Sequence, residues 1–251
     1  MSGHSKWSTI KRKKGANDAK RGQIFTRLTR EIVIAAREGG SDIDANFRLR
    51  LAVEKARSQN MPKDNIERAI RRGSGEDKDA ADFEEVTYEG YAPHGVALMI
   101  ECVTDNRNRT VAEIRHILNR YNGSLGEGGS VAWQFDRVAA FSFPAEGQDE
   151  DRIFELAVEA GADDVRFEDE EIEIVGPVES FKQIADELRA AKIRPEEAGL
   201  RLVPTNELEL ELEETLQVMK VIDALEELDD VQEVYSNLQL SNEAVKQFEA
   251  A

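Results

Sequence analysis

Hydrophobic residues recur every three or four positions along the segment that begins near Gln23. This spacing places Ile24, Leu28 and Ile32 on one side of a helix and leaves charged residues on the other. The double glycine that starts at Gly39 ends the pattern, and Gly39 itself suits the position just after a helix. The pattern therefore predicts one long amphipathic helix.

Two shorter helical patterns follow. The first, SDIDANFRLRLAVEKARSQ, is expected to be capped by Asp42 or Asp44. The second, MPKDNIERAIRRG, has Pro62 in its first turn and ends at Gly73. Together with the long helix, they predict a small all-helical domain with many cations on its surface.

Strand patterns begin after the polar linker GSGEDKDAAD. The segments EEVTYEGYA, GVALMIECV and SVAWQF are typical of strands. Between the second and third lies NRTVAEIRHILNRYNG, a helix for which Thr110 and Glu113 have the spacing of a capping box. Near the end of the chain, ELELELEE and VQEVYSN are predicted strands on either side of another helix.

The segment 138–203 carries a complete β-α-β-β-α-β series, which is the order of the ferredoxin-like motif. Its strand EIEIV alternates strictly, so its glutamates are expected to face water. We therefore predict an α+β protein: an all-helical N-terminal domain followed by two α+β domains, one ferredoxin-like and inserted in the other. The predicted boundaries are a basic arm over 1–22, a helical domain over 23–78, a discontinuous domain over 80–135 plus 206–240, and the insertion over 138–203.

Charge is distributed very unevenly. The whole chain has a formal net charge of −18, yet residues 1–75 hold 18 Lys and Arg against 8 Asp and Glu. The first part is thus +10 and the remainder −28, a partition that indicates a function for the basic part. Basic segments attract phosphate backbones, whereas an acidic body repels them. We expect the arm to be mobile until it meets a partner and to add little to the core.

Few features point to catalysis, a metal or a cofactor. Cys102 is the only cysteine, which excludes an internal disulfide and a cysteine-rich zinc site. The three histidines, His4, His94 and His116, have no metal-ligand spacing. No apolar stretch resembles a signal peptide or a membrane span, so a cytoplasmic protein without membrane contact is expected.

Several segments resemble the YebC family. The opening GHSKWSTIKRKKGANDAKRGQIFTRLTREI is similar to its N-terminal signature, and NMPKDNIERAI resembles a second stretch. YEGYAPHGVALMIECVTDNRNRT and LGEGGSVAWQF resemble a third and a fourth. These matches run in order over nearly the whole chain, so the resemblance is specific.

The resemblance implies a three-domain, non-enzymatic, cytoplasmic regulator of gene expression. Bacterial members of the family are commonly described as DNA-binding transcriptional regulators. Other members, including a mitochondrial relative, look like translation factors that act with the ribosome. The resemblance thus leaves two partners open, DNA and ribosomal RNA.

The candidates for nucleic-acid contact are cationic residues together with one aromatic residue that lies among them in the sequence. Lys and Arg neutralise phosphates, and Trp7 could stack on an unpaired base. The candidates are His4, Lys6, Trp7, Lys11, Arg12, Lys13, Lys14, Lys20, Arg21, Arg27, Arg30, Arg107 and Arg109. Arg107 and Arg109 stand at a predicted helix N-terminus, where either a phosphate site or ordinary capping fits the sequence.

The glycine-rich segment GSLGEGGS follows a helix and opens a strand, whereas a dinucleotide-binding loop follows a strand and opens a helix. A flexible connection and a close approach to a large partner both fit it.

The sequence also offers no convincing helix-turn-helix recognition helix. Physical reasoning therefore leans slightly to RNA, whereas the commonest description of the family favours DNA.

Overall fold

The computed structural model describes Trp7 and residues 18–76, 83–167 and 171–250. Residues 135–205 form one compact unit, and the described residues on either side of that segment form the other. The helices in chain order are α1 (Asp18–Gly39), α2 (Phe47–Ser58), α3 (Lys63–Gly73), α4 (Arg107–Arg120), α5 (Glu150–Glu159), α6 (Phe181–Ala190), α7 (Leu212–Glu226) and α8 (Asn242–Glu249). The strands are β1 (Glu84–Tyr91), β2 (Ala97–Thr104), β3 (Ser124–Leu125), β4 (Phe135–Pro144), β5 (Asp164–Phe167), β6 (Glu171–Pro177), β7 (Glu197–Pro204) and β8 (Val231–Ser236).

The N-terminal helices pack around the apolar face that the sequence predicts for α1. Leu28 and Ile32 of that face are buried, and Leu49 of α2 and Ile66 of α3 lie in the same core. The predicted cap of α2 is wrong. Asn46 is the N-cap: its side chain accepts a hydrogen bond from the Leu49 N–H at 3.1 Å.

Asp42, one of the two predicted caps, instead closes a tight turn before α2. Its carboxylate accepts the Asp44 N–H at 2.9 Å, so both candidates belong to the turn. Pro62 likewise precedes α3 as its N-cap residue rather than lying in its first turn. These shifts leave the three predicted helices in place.

The larger unit contains a four-stranded antiparallel sheet with the order β3-β1-β2-β8. Its core joins β2 and α4 to α7 and α8. Thr110 does not cap α4. Asn106 does, accepting the Arg109 N–H at 3.1 Å, while Thr110 lies buried inside the helix.

Two predicted strands of this unit are not strands. SVAWQF forms a bend and a short 3₁₀ helix, Ala132–Gln134, before β4 begins at Phe135. ELELELEE makes one isolated bridge, Leu208 to Leu238, and its last three residues, 212–214, form the first turn of α7. Its alternating leucines pack on the core without a neighbouring strand on which to build a ladder. Alternation therefore indicates which side chains of a segment are buried, but it does not indicate whether the segment pairs with another strand.

The unit 135–205 has the antiparallel order β5-β6-β4-β7. This order, combined with the β-α-β-β-α-β sequence, is that of the ferredoxin-like motif. Its core includes Phe141, which stacks on Phe181 of α6 at 4.8 Å between ring centroids. The predicted fold class, α+β with a helical N-terminal part, is confirmed.

The glutamates of EIEIV do not all face water. Glu173 is 1% exposed, and its carboxylate pairs with Arg201 and, at 3.3 Å, with Arg166. A buried charge requires such partners because desolvation is costly. Strict alternation fails here because β5, beside β6, and β7, on the far side of β4, each supply one cation, which the strand's own sequence does not reveal.

None of the helices in the described ranges combines the length and the apolar character that crossing a membrane requires.

Candidate nucleic-acid interface

Trp7, the one described residue before Asp18, is part of the core. Its side chain is 3% exposed, and its ring lies 5.4 Å from that of Phe248 in α8. The indole N–H donates to Glu226 Oε2 at 2.8 Å. The expectation that the arm adds little to the core is therefore wrong at this residue. To stack on a base, Trp7 would first have to leave its pocket.

The five residues Glu226–Asp230, here called the acidic segment, run from the last residue of α7 to the residue before β8. They receive three side chains from the N-terminal part. Trp7 contacts Glu226, and Gln23 Nε2 donates to the Glu227 carbonyl oxygen at 3.1 Å. Arg30 donates to the Asp229 carbonyl oxygen and forms an ion pair with Asp230 at 2.9 Å. The acidic segment thus fixes both Trp7 and α1 to the α+β core.

Asp230 is the centre of a buried polar cluster. Its carboxylate accepts hydrogen bonds from the hydroxyls of Thr104 and Thr110, at 3.0 and 2.6 Å. Arg109 Nη2 lies 2.8 Å from the same carboxylate, opposite Arg30. Burial by itself would raise the pKa of Asp230, but the hydrogen bonds from Thr110 and Arg109 and the charge of Arg30 outweigh it and lower the pKa.

Arg30 is therefore committed to the core: it is 9% exposed, and its guanidinium lies 5.3 Å from the centroid of the Phe83 ring. Arg27, three residues earlier on α1, is half-buried, and its Nε has no hydrogen-bond partner. Of these two candidates, Arg27 is the more exposed, although the Nε atoms of both are buried without a hydrogen-bond partner.

The junction between β2 and α4 shows capping with paired cations. Arg107 holds Glu84 through two hydrogen bonds of 2.6 and 2.7 Å, although both side chains are partly exposed. Arg109 pairs with Asp105 and Asp230, both at 2.8 Å. A phosphate at this site would have to compete with three carboxylates of the chain itself.

The remaining candidates lie outside the described residues or have undescribed side chains. His4, Lys6, Lys11, Arg12, Lys13 and Lys14 fall outside the described ranges, while Lys20 and Arg21 belong to α1 by their backbone only. Their role in nucleic-acid binding stays a prediction.

The basic surface predicted for the helical domain is partly neutralised. Arg48 pairs with Glu38 and Glu85. The side chains of Arg57, Arg68 and Arg71 are exposed. These three arginines, on α2 and α3, are cations of this domain that a phosphate can reach.

The glycine-rich segment is held by one carboxylate. Glu89 of β1 accepts the backbone N–H groups of Gly129, Val131 and Ala132 at 2.6, 2.8 and 2.9 Å. Burial alone would raise the pKa of Glu89, but these N–H groups outweigh it and lower the pKa. The flexible connection that the glycines allowed is thus a supported loop.

The same loop displays an aromatic residue that sequence reasoning missed. Trp133 is 72% exposed, and its indole N–H donates to the Ser130 carbonyl oxygen at 3.1 Å. Tyr91 donates its hydroxyl to that oxygen as well, at 3.2 Å. Nothing in the sequence signals this exposure, because the pattern of SVAWQF is typical of a half-buried strand.

The described residues thus form an α+β protein with a helical N-terminal part and two antiparallel sheets. Within the described ranges, no group of three or more His, Cys, Asp and Glu side chains could hold a metal ion. The chain belongs to the TACO1/YebC family. Residues 5–76 match the model of the TACO1/YebC protein N-terminal domain, and residues 83–238 match that of the TACO1/YebC second and third domain.

Full-length relatives and one solved structure agree with this assignment. The chain is 54% identical to the probable transcriptional regulatory protein BT0025 of Borrelia turicatae, covering 97% of this chain and 99% of that one. It is 53% identical to a probable transcriptional regulatory protein of Acidithiobacillus ferrooxidans, covering 100% and 99%. The crystal structure of the conserved hypothetical protein Aq1575 from Aquifex aeolicus is similar, with a TM-score of 0.83, 41% identity and coverage of 90% and 93%.

Proposed function

We propose that this chain is a non-enzymatic regulator of gene expression that binds nucleic acid through its basic N-terminal arm. The observation that carries the proposal is the charge partition, +10 over residues 1–75 against −28 over the rest. A basic arm gains affinity from phosphates through the release of counterions. The relatives named as probable transcriptional regulatory proteins favour the same class of function.

In this proposal, Trp7 attaches the basic arm to the core of the protein. Because its indole is buried against Glu226 and Phe248, the chain before Asp18 is attached to the core at that point. Attachment lowers the entropy that the arm loses when it binds. Trp7 thus serves as an anchor rather than as the stacking residue.

DNA is the first candidate partner because of the names of the relatives. Folded RNA of the ribosome is the second, and the acidic body favours it. A long duplex beside a body of −28 would be repelled, whereas a ribosome offers basic proteins next to its RNA. Either partner would meet the arm and the exposed arginines of α2 and α3.

A charge reversal tests the role of the arm. Changing Lys11, Arg12, Lys13 and Lys14 to Glu should abolish binding of nucleic acid while preserving the fold, since Trp7 is retained. Wild-type affinity should fall roughly 10³-fold between 50 and 200 mM salt if about six phosphates are contacted. Binding would be measured by fluorescence anisotropy with DNA and with folded RNA.

The matched control reverses four exposed cations elsewhere: Lys182, Lys192, Arg194 and Lys220. This variant has the same net charge as the arm variant but should bind nearly as well as the wild type. If both variants lost affinity equally, or if the affinity of the wild type did not depend on salt concentration, the arm would not be the site of contact.

Experiments in cells distinguish DNA from ribosomal RNA as the partner. Crosslinking followed by sequencing of the bound nucleic acid, together with sedimentation of a lysate at physiological salt, should place part of the protein with ribosomes if RNA is the partner. The arm variant should lose that association. Protection of one defined promoter by a protein that stays free of ribosomes would select the transcriptional function.

A further inference from the structure

Trp133 projects from a loop that the rest of the chain holds in position. At 72% it is the most exposed of the large apolar side chains in the described residues. The carboxylate of Glu89 fixes the backbone on both sides of Ser130, and the Trp133 N–H is bound to the Ser130 carbonyl oxygen. An aromatic residue ordered in advance loses little entropy on binding, so this arrangement is typical of an interaction site.

The geometry restricts what Trp133 offers to a ligand. Its one polar group, the indole N–H, is already used within the loop, so the faces of the ring remain. Gly128 in the same loop has an ordinary backbone conformation and open space where a side chain would project. Neither packing nor backbone strain demands glycine there, and the missing side chain leaves room for another chain to approach.

The negative charge of the surrounding domain determines which kind of ligand can bind to a face of the Trp133 ring. The segments 83–134 and 206–250, which build this domain, hold 20 Asp and Glu against 6 Lys and Arg. Two of those six, Arg107 and Arg109, are already paired with carboxylates of the chain. A nucleotide would carry its phosphate into this negative field, whereas a cation would be attracted to it.

We propose that Trp133 binds the guanidinium group of an arginine in a basic segment of a partner protein. Tryptophan is the best aromatic receptor for a cation, and a planar guanidinium stacks on its face. The exposed carboxylate of Glu127, in the same loop, adds a charge of the correct sign. This contact does not depend on the arm, so the two proposals can fail separately.

The full-length protein is tested with a labelled peptide of arginine and glycine, and with the matching peptide of lysine and glycine, at physiological ionic strength. Trp133→Ala should weaken binding of the arginine peptide by about 2- to 5-fold, the range for an exposed cation–π contact. The lysine peptide should lose less, and Trp133→Phe should lie between the wild type and Trp133→Ala.

Phe154→Ala is the control, because Phe154 is 52% exposed but lies in the unit 135–205. It should bind the arginine peptide as the wild type does. Unchanged binding by Trp133→Ala, or an equal loss in Phe154→Ala, would overturn the proposal. So would a single-stranded oligonucleotide whose binding depends on Trp133 while that of the arginine peptide does not, because Trp133 would then be a base-stacking residue.

Discussion

Replacing Asp230 by Asn removes one buried charge at the point where the helical domain joins the α+β core. The Asp230 side chain is 3% exposed and that of Arg30 10%, so the variant leaves the Arg30 charge buried beside an uncharged amide. Breaking a buried pair from one side costs about 3–5 kcal/mol. Arg109 adds little to this loss because its side chain is 42% exposed and it retains Asp105. We therefore expect Asp230→Asn to lower the free energy of unfolding by about 3 kcal/mol.

Urea unfolding followed by tryptophan fluorescence measures this change, since Trp7 and Trp133 both lie in the larger unit. The control is Asp229→Asn, which makes the same change of charge one residue earlier. Asp229 is exposed and contributes its backbone carbonyl to Arg30, so its side chain should matter by less than about 0.5 kcal/mol. If Asp230→Asn costs no more than Asp229→Asn, the cluster does not hold the helical domain to the core.

Three further predictions concern acid unfolding, the reactivity of Cys102 and the independence of the unit 135–205. Because the pKa of Asp230 is lowered in the folded state, its stabilising contribution is fully present above the unfolded pKa of about 3.9 and is lost as the pH falls through the folded pKa. Acid unfolding should therefore be less steep in Asp230→Asn than in the wild type. Cys102 is buried, and burial raises its thiol pKa to about 12, so a thiol reagent at pH 8 should react only after urea is added; fast labelling of the native protein would contradict this. Residues 135–205 expressed alone should unfold in one cooperative transition by circular dichroism, because their four strands pair only with one another; a featureless melt would reject an independent domain.

The periodic patterns of the chain predicted most of its elements because burial acts on each segment in the same way wherever its partner lies. The first helix, the β-α-β-β-α-β series and its ferredoxin-like character all follow from spacing within a segment, although α1 begins at Asp18 and not near Gln23 as predicted. The charge partition between residues 1–75 and the rest is likewise a property of the sequence alone. Family membership was also readable from the ordered motifs.

Tertiary structure decided which polar and aromatic residues are exposed, because exposure depends on neighbours that are distant in the chain. Trp7 is buried because α7 and α8 bring Glu226 and Phe248 to it, and Glu173 is buried because β5 and β7 supply its two arginines. Trp133, by contrast, is exposed because Glu89 holds its loop away from strand pairing. The sequence by itself determined where charge and apolar surface lie along the chain. Only the fold determined which of the two tryptophans can meet a partner.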